Sequence, residues 1–295
     1  MPSANQTATA PKKKTILDLQ QMKDKGEKAV WVVAYDACMA SYAEKAGMDM
    51  ILVGDSMGMI VYGYPGTVPV SMDMSIFHCQ AVRRGAPDTY IIGDMPFGSY
   101  HESSADAVHN AVRFLKEADV DAIKLEGGVA VKDKIEAICK SGIVVFGHIG
   151  LTPQSSAALG GFKVQGKSTA GALAVLNDAR AVYEAGARCL LIEGVPEVVT
   201  AFVAKSLPIP VYGIGAGVRC DGQVLLAADL LGMYEAFTPK FSKRYMNLAH
   251  DVTNAFREYV EEAKAGAFPA PEHMYKYTGD EAELQKLFAD YKFQL

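Results

Sequence analysis

The chain has 295 residues, 50% of them hydrophobic and 21% charged, enough to bury the core of one large α/β domain or two small ones. Its formal net charge of −5 offers no basic footprint for nucleic acid, and no apolar run reaches the roughly 18 residues of a membrane span. Five scattered cysteines, odd in number and without a C-x-x-C pair, point to reduced thiols and a cytoplasmic or organelle-matrix setting.

Residues 1–14 are small and polar and end in Lys12-Lys13-Lys14. Lacking an apolar stretch, they form no secretory signal and read as a disordered tail. The absence of acidic residues would suit an organellar transit segment; the absence of arginine speaks against one. Thr15-Ile-Leu-Asp-Leu-Gln-Gln-Met22 then reads as an amphipathic helix able to close one end of a barrel. A first strand over 30–36 is followed by a helix through Ala40, Ala43 and Ala46, stopped at Gly47. The second strand runs to Asp55 and completes a tight βαβ unit.

Between Ser56 and Ser71, Gly58, Gly63, Pro65, Gly66 and Pro69 predict a long shaped loop, either a pocket wall or a plain surface excursion. A helix near 75–84 leads to strand three at 90–95. Ser103 or Ser104 caps a helix with Ala107, Val108, Ala111, Val112 and Leu115 at helical spacing. Strand four is 122–125, its helix 131–140, and strand five 143–147. Thr152-Pro153 reads as a cap followed by proline at the first helical position. A glycine-rich stretch, 160–166, precedes a helix that ends at Gly186. Strands six (189–192) and seven (210–214) flank a helix starting at Pro196. The eighth strand is the least distinct and falls near 235–237. A helix from about 248 to 265 closes the series, and a polar, aromatic tail carries a last helix around 280–291.

Eight βα units over about 240 residues predict an α/β fold, a (β/α)8 TIM barrel. It is expected to form a single domain at 15–266, with an N-terminal helix and a C-terminal helical extension at 267–295. Polar groups recur where the strands end. Asp55 and Asp94 close neighbouring strands, about 5 Å apart in a barrel, and could share a hard cation such as Mg²⁺. A lone aspartate at such a position more often caps a helix. Glu126 could act as an outer ligand or orient a bound water.

Lys124, two residues earlier, points to the same side of its strand. It either meets an anionic substrate or compensates the acids; a Schiff-base role is disfavoured beside so many carboxylates. Glu193 is placed for acid–base work or for capping the next helix. His148 is either a proton relay or a satisfied core histidine. Gly213-Ile-Gly215-Ala-Gly217 lacks the full dinucleotide fingerprint and follows the seventh strand, so it reads as a turn close to a ligand.

The blocks Val53-Gly-Asp-Ser56, Arg83-Arg-Gly85, Gly93-Asp-Met-Pro96, Lys124-Leu-Glu-Gly-Gly128, Gly147-His-Ile-Gly-Leu-Thr-Pro-Gln-Ser155, Gly161-Phe-Lys-Val-Gln-Gly166, Ile214-Gly-Ala-Gly217 and Pro239-Lys-Phe241 occur in order. Together they resemble the ketopantoate (3-methyl-2-oxobutanoate) hydroxymethyltransferase family over roughly residues 15–270. The resemblance implies a Mg²⁺-dependent one-carbon transfer from 5,10-methylenetetrahydrofolate to 3-methyl-2-oxobutanoate, a step of pantothenate biosynthesis. By the same resemblance Asp55, Asp94 and Glu126 take the metal-site positions. Asp55, Ser56, Asp94 and Lys124 take the 2-oxo acid contacts, and Glu193 the catalytic base. The chemistry implied is removal of the C3 proton, stabilisation of the enolate by metal and lysine, and attack on the donor's methylene carbon.

The resemblance also implies a homo-oligomer, a ring-based decamer, while the reduced thiols are what point to the cytoplasm. Two departures stand out. Tyr62-Gly-Tyr-Pro-Gly66-Thr67 occupies a loop where the family commonly has an acid, which bears on which oxo acid or donor fits, and the tail 274–295 has no counterpart. The rival enzyme reading is a Mg²⁺-dependent aldol or lyase-type barrel of the phosphoenolpyruvate mutase kind, although no Lys-Lys-Cys-Gly-His motif occurs. A barrel kept only as a binding module predicts loss of the rim groups, and all are present.

Overall fold

The computed structural model describes residues 13–293. Eight parallel strands close into a barrel in chain order: β1 Ala29–Val33, β2 Met50–Val53, β3 Tyr90–Asp94, β4 Ala122–Glu126, β5 Val145–Gly150, β6 Cys189–Glu193, β7 Val211–Ile214 and β8 Gly222–Leu226. Their near-continuous apolar sequences follow from burial on both faces, inward against each other and outward against helices. Every residue of β2, β3 and β4 is buried.

Helices α1 Ile16–Lys25, α2 Ala37–Lys45, α3 Met57–Ile60, α4 Met72–Gly85, α5 Ser104–Ala118, α6 Lys132–Lys140, α7 Ser156–Leu159, α8 Thr169–Glu184, α9 Glu197–Ser206 and α10 Ala227–Leu230 lie between or beside the strands. Side chains of Thr15, Asp36, Ser71, Ser103 and Ser168 accept from backbone N–H groups at the starts of α1, α2, α4, α5 and α8. These caps satisfy donors a helix cannot satisfy itself. Helix α1 closes the lower end: Gln20 donates to the Pro208 carbonyl, and Lys23 pairs with Asp221 at 2.7 Å, just before β7 and β8 begin.

Inside the barrel, Trp31, Tyr90, Phe146 and Tyr212 form one aromatic layer. They come from the alternate strands β1, β3, β5 and β7, as a filled barrel core requires. Trp31 meets Tyr212 edge-on at 5.3 Å and Phe146 at 6.1 Å, while Tyr90 meets Phe146 at 6.2 Å. Polar groups above this layer therefore stand on a packed floor.

One expectation needs revising. The eighth strand is Gly222–Leu226, not 235–237. Residues 215–221 link β7 to β8 without a helix, so the strand arrives earlier than a regular βα alternation suggests, and it pairs with β1 from Ala29↔Gly222 to Val33↔Leu226. Residues 235–237 are exposed and outside any strand. Most of the expected N-terminal tail lies outside the described residues, but Lys13 and Lys14 are anchored by ion pairs to Asp121 (2.6 Å) and Asp49 (3.0 Å).

The chain divides into two compact units, the first ending at Met246 and the second starting at Asn247. Helix α11 Leu248–Ala265 falls in the second unit and buries none of its residues. Within that unit Tyr259 packs against Phe268, and Phe268 against His273; α12 Glu281–Asp290 follows. No helix among the described residues is long and apolar enough to cross a membrane.

Candidate active site

Glycines on β3 and β5 set which way the rim residues point. A Cβ on Gly93 would stand 2.6 Å from the Phe114 ring of α5, and one on Gly147 would stand 2.3 Å from Val182 of α8. Both residues face outward under closely packed helices. Strand alternation then turns Asp94 and His148 inward. The same alternation on β4 sends Lys124 and Glu126 inward together, with Ile123 and Leu125 in the outer core. Register aligns Asp94 with Lys124, Glu126 with His148, and Gly150 with Glu193.

The structure brings all the sequence-predicted residues to one cavity of about 630 Å³ at the C-terminal end of the barrel. Asp55, Ser56, Asp94, Lys124, Glu126, His148 and Glu193 all line it. Lys124 Nζ lies 2.8 Å from Asp94 Oδ1, 3.3 Å from His148 Nδ1 and 3.6 Å from Glu126 Oε1. The Asp55 backbone N–H donates to Asp94 Oδ2 at 3.0 Å. His148 Nε2 stands 3.2 Å from Glu193 Oε2, in a contact too oblique for a full hydrogen bond. Ser56 Oγ is 2.8 Å from the Tyr35 hydroxyl. The departing loop reaches the cavity through buried Thr67, while Tyr62 stacks on Tyr64 and bonds His78.

Burial controls the electrostatics. Asp55 is pushed up to about 6 by desolvation and by the Glu126 charge, Lys124 opposing. Asp94 rises to about 7 from desolvation, although the Lys124 ammonium pulls it down, and Glu126 rises to about 7 for the same pair of reasons. Desolvation works against the Lys124 charge, but Asp94, Glu126 and Asp55 outweigh it and hold the ammonium well above its ordinary value. Desolvation and the Lys124 charge keep His148 low, hence neutral. Glu193 is raised by desolvation and lowered by His148, and its side chain is the least covered of the acids at 14% exposed.

Sequence reasoning passed over two residues that organise this cluster. Gln154, buried at the start of the β5–α8 connection, uses its whole amide: Nε2 donates to Asp55 Oδ2 (2.8 Å) and the Met95 carbonyl (2.9 Å), and Oε1 accepts from the Tyr100 hydroxyl (2.6 Å). Its backbone N–H donates to Glu126 Oε2 at 3.0 Å. Tyr100 in turn accepts from the Glu126 N–H. Gln154 stood inside a quoted sequence block, but an uncharged amide outside a strand carries no periodic signal of function. Asp229, buried in α10 at the cavity wall, was also missed, because β8 had been sought further along.

Among solved structures, a phosphonopyruvate hydrolase in complex with oxalate and Mg²⁺ superposes with a TM-score of 0.58 at 16% identity, covering 94% of this chain and 99% of that one. A 2,3-dimethylmalate lyase gives 0.56 at 15%, over 93% and 97%. At such identities the likeness is one of fold. Sequence relatives are much nearer. A protein of Alkaliphilus metalliredigens (strain QYMF) named 3-methyl-2-oxobutanoate hydroxymethyltransferase is 60% identical over 281 residues, 95% of this chain and 99% of its own length. One of the same name from Enterococcus faecalis (strain ATCC 700802 / V583) is 48% identical over 94% of this chain and 100% of its own. The model of the ketopantoate hydroxymethyltransferase family matches residues 13–271, a span that includes every rim residue described above. With identity of this order over nearly its whole length, the chain belongs to the ketopantoate hydroxymethyltransferase family.

Proposed function

We propose that the protein transfers a hydroxymethyl group from 5,10-methylenetetrahydrofolate to 3-methyl-2-oxobutanoate, giving 2-dehydropantoate, with Mg²⁺ bound at Asp55 and Asp94. The observation that carries this reading is the charge imbalance of the cavity floor. Three buried carboxylates, Asp55, Asp94 and Glu126, face a single ammonium. Asp94 Oδ1, fully buried, meets Lys124 Nζ at 2.8 Å, an ammonium it shares with Glu126. A hard divalent cation fits such an oxygen-rich, positively underfilled site.

Among the described residues no three His, Cys, Asp or Glu side chains form a ready-made metal cage. That agrees with Mg²⁺ chemistry, in which one or two carboxylates suffice and substrate and water supply the rest. Glu126 is turned instead toward Lys124, His148 and the Gln154 N–H, which suits an outer position. When bound, the ion supplies Lewis acidity toward the 2-oxo acid.

The remaining work falls to side chains. Lys124, buried and kept charged by its acidic neighbours, stabilises negative charge developing on the oxo acid. Ser56, held by Tyr35, offers its hydroxyl to the same substrate. Glu193, raised by burial, is a stronger base than a surface carboxylate and takes the C3 proton. Neutral His148 steadies it from 3.2 Å without competing for that proton. The reading extends to a cytoplasmic homo-oligomer, tested by sedimentation of the purified protein.

The test is exchange of the C3 proton of 3-methyl-2-oxobutanoate in D₂O, followed by NMR with and without Mg²⁺ and tetrahydrofolate. Metal-dependent exchange in the wild type, lost in Asp94→Ala and Glu193→Gln, is expected. Exchange persisting in Glu193→Gln would move the base elsewhere. No exchange in the wild type, even with tetrahydrofolate, would sink the assigned substrate.

A further inference from the structure

Asp229 is the one carboxylate on the cavity wall that the chemistry above does not use. It is only 5% exposed, yet among the described residues its carboxylate takes part in no hydrogen bond and no ion pair. A carboxylate that opens on a cavity without protein donors is positioned to receive them from a ligand. Burial raises it to about 6, with the Arg244 charge opposing, so it is largely ionised at neutral pH.

Its place in the fold is informative. Asp229 follows β8, which pairs with β1 on one side and on the other with β7, the strand that separates it from the β6 residue Glu193. Val33 of β1 is in register with Leu226 of β8, so the chain leaves β1 to Tyr35 beside the chain that leaves β8 to Asp229, and the Tyr35 hydroxyl holds Ser56. Asp229 therefore adjoins the Ser56 side of the oxo-acid position. The same cavity is lined by Leu226, Tyr234, Phe237 and Phe241. The Phe241 ring lies directly over Gly215, where any Cβ would come within 2.5 Å of it. Glycine at that turn lets a flat ring form part of the wall.

We propose that Asp229 and Phe241 form the subsite for the reduced pterin ring of the one-carbon donor. The inference rests on the folate reading above. A pterin carries its 2-amino group and N3–H side by side on one edge, two donors spaced to meet both oxygens of a carboxylate. Its faces are apolar enough to pack on a phenyl ring. Asp229 recognises the edge and Phe241 the face, so the one-carbon unit approaches from the β8 side while the base stands on β6.

The experiment is an anaerobic fluorescence titration of the full chain with tetrahydrofolate and with 2-desamino-2-methyltetrahydrofolate, which lacks the amino donor. The wild type is expected to bind tetrahydrofolate about tenfold or more tightly than the analogue, since a site built for a donor rejects a ligand without it. Asp229→Asn should remove most of that preference, and Phe241→Leu should weaken both ligands together. Equal binding of the two ligands by the wild type would overturn the inference, whether or not the variants fold. So would an Asp229→Asn protein that keeps the full preference. A wild type that binds neither ligand would instead remove the folate donor from the proposed function, and this inference with it.

Discussion

Lys124 and Asp94 are direct cross-strand neighbours, paired in register between β4 and β3, with Nζ and Oδ1 2.8 Å apart and both side chains buried. Because this ion pair is embedded among further acids, the ammonium neutralises a cluster rather than one partner. Replacing Lys124 by Met leaves Asp55, Asp94 and Glu126 facing one another. Activity should be lost, and stability at pH 8 should fall by about 3–5 kcal/mol, the usual cost of an uncompensated buried charge. At pH 5 the loss should be smaller, because the carboxylates can take up protons. Urea unfolding at the two pH values checks both statements, and an equal loss at each would contradict the cluster account.

The same acids predict how stability follows pH. Asp55, Asp94 and Glu126 titrate near 6, 7 and 7 in the folded chain, above the ordinary carboxylate values of 3.8 to 4.5. Between those limits the native state holds more protons than the unfolded state, so metal-free stability falls as pH rises from about 4 to about 7 and then levels. Mg²⁺ binds the ionised form, so its stabilisation should grow across the same window. Thermal melts from pH 5 to 8, with and without Mg²⁺, should show the two curves diverging upward in pH. Parallel curves would speak against a metal on these acids.

Gln154 fixes the orientation of Asp55 by donating to Oδ2, while its own oxygen is held by Tyr100. Gln154→Leu keeps the volume but strips Asp55, Met95 and Tyr100 of a partner. A stability loss of about 1–3 kcal/mol is expected. Mg²⁺ affinity, read from the metal-dependent thermal shift, should fall as well, and part of the lost turnover should return at high Mg²⁺. A purely structural role would lower stability without changing the metal titration.

Gly215 sits at φ +61°, in the left-handed region, directly beneath the Phe241 ring. Gly215→Ala combines that backbone cost, roughly 1–3 kcal/mol, with a clash that displaces the ring from the cavity wall. The KM for the folate donor should rise more than the KM for the oxo acid. Steady-state kinetics with each substrate varied in turn distinguishes this from a general loss of fold, which would lower kcat for both alike.

Much of this was legible in the linear chain. Apolar runs ending in Asp55, Asp94, Lys124-x-Glu126, His148 and Glu193 announce strands of a parallel barrel with polar C-terminal ends, because strand alternation and the barrel rim are both local consequences of sequence. The cap at Ser103 and the stop at Gly47 are equally local. The eighth strand was misplaced for a physical reason. Val224-Leu225-Leu226 follows a seven-residue link without a helix, and only the edges offered by β7 and β1 make it a strand.

What the sequence determined, then, was the order of elements and the set of charged groups at the rim, since both depend on spacing along the chain. The tertiary structure alone decided how those groups are partnered. Lys124 among three acids, Gln154 reaching Asp55 across 99 positions, and Asp229 on the wall of the same cavity arise from closure of the barrel. Closure brings remote residues within hydrogen-bond reach and removes the water that would otherwise satisfy them.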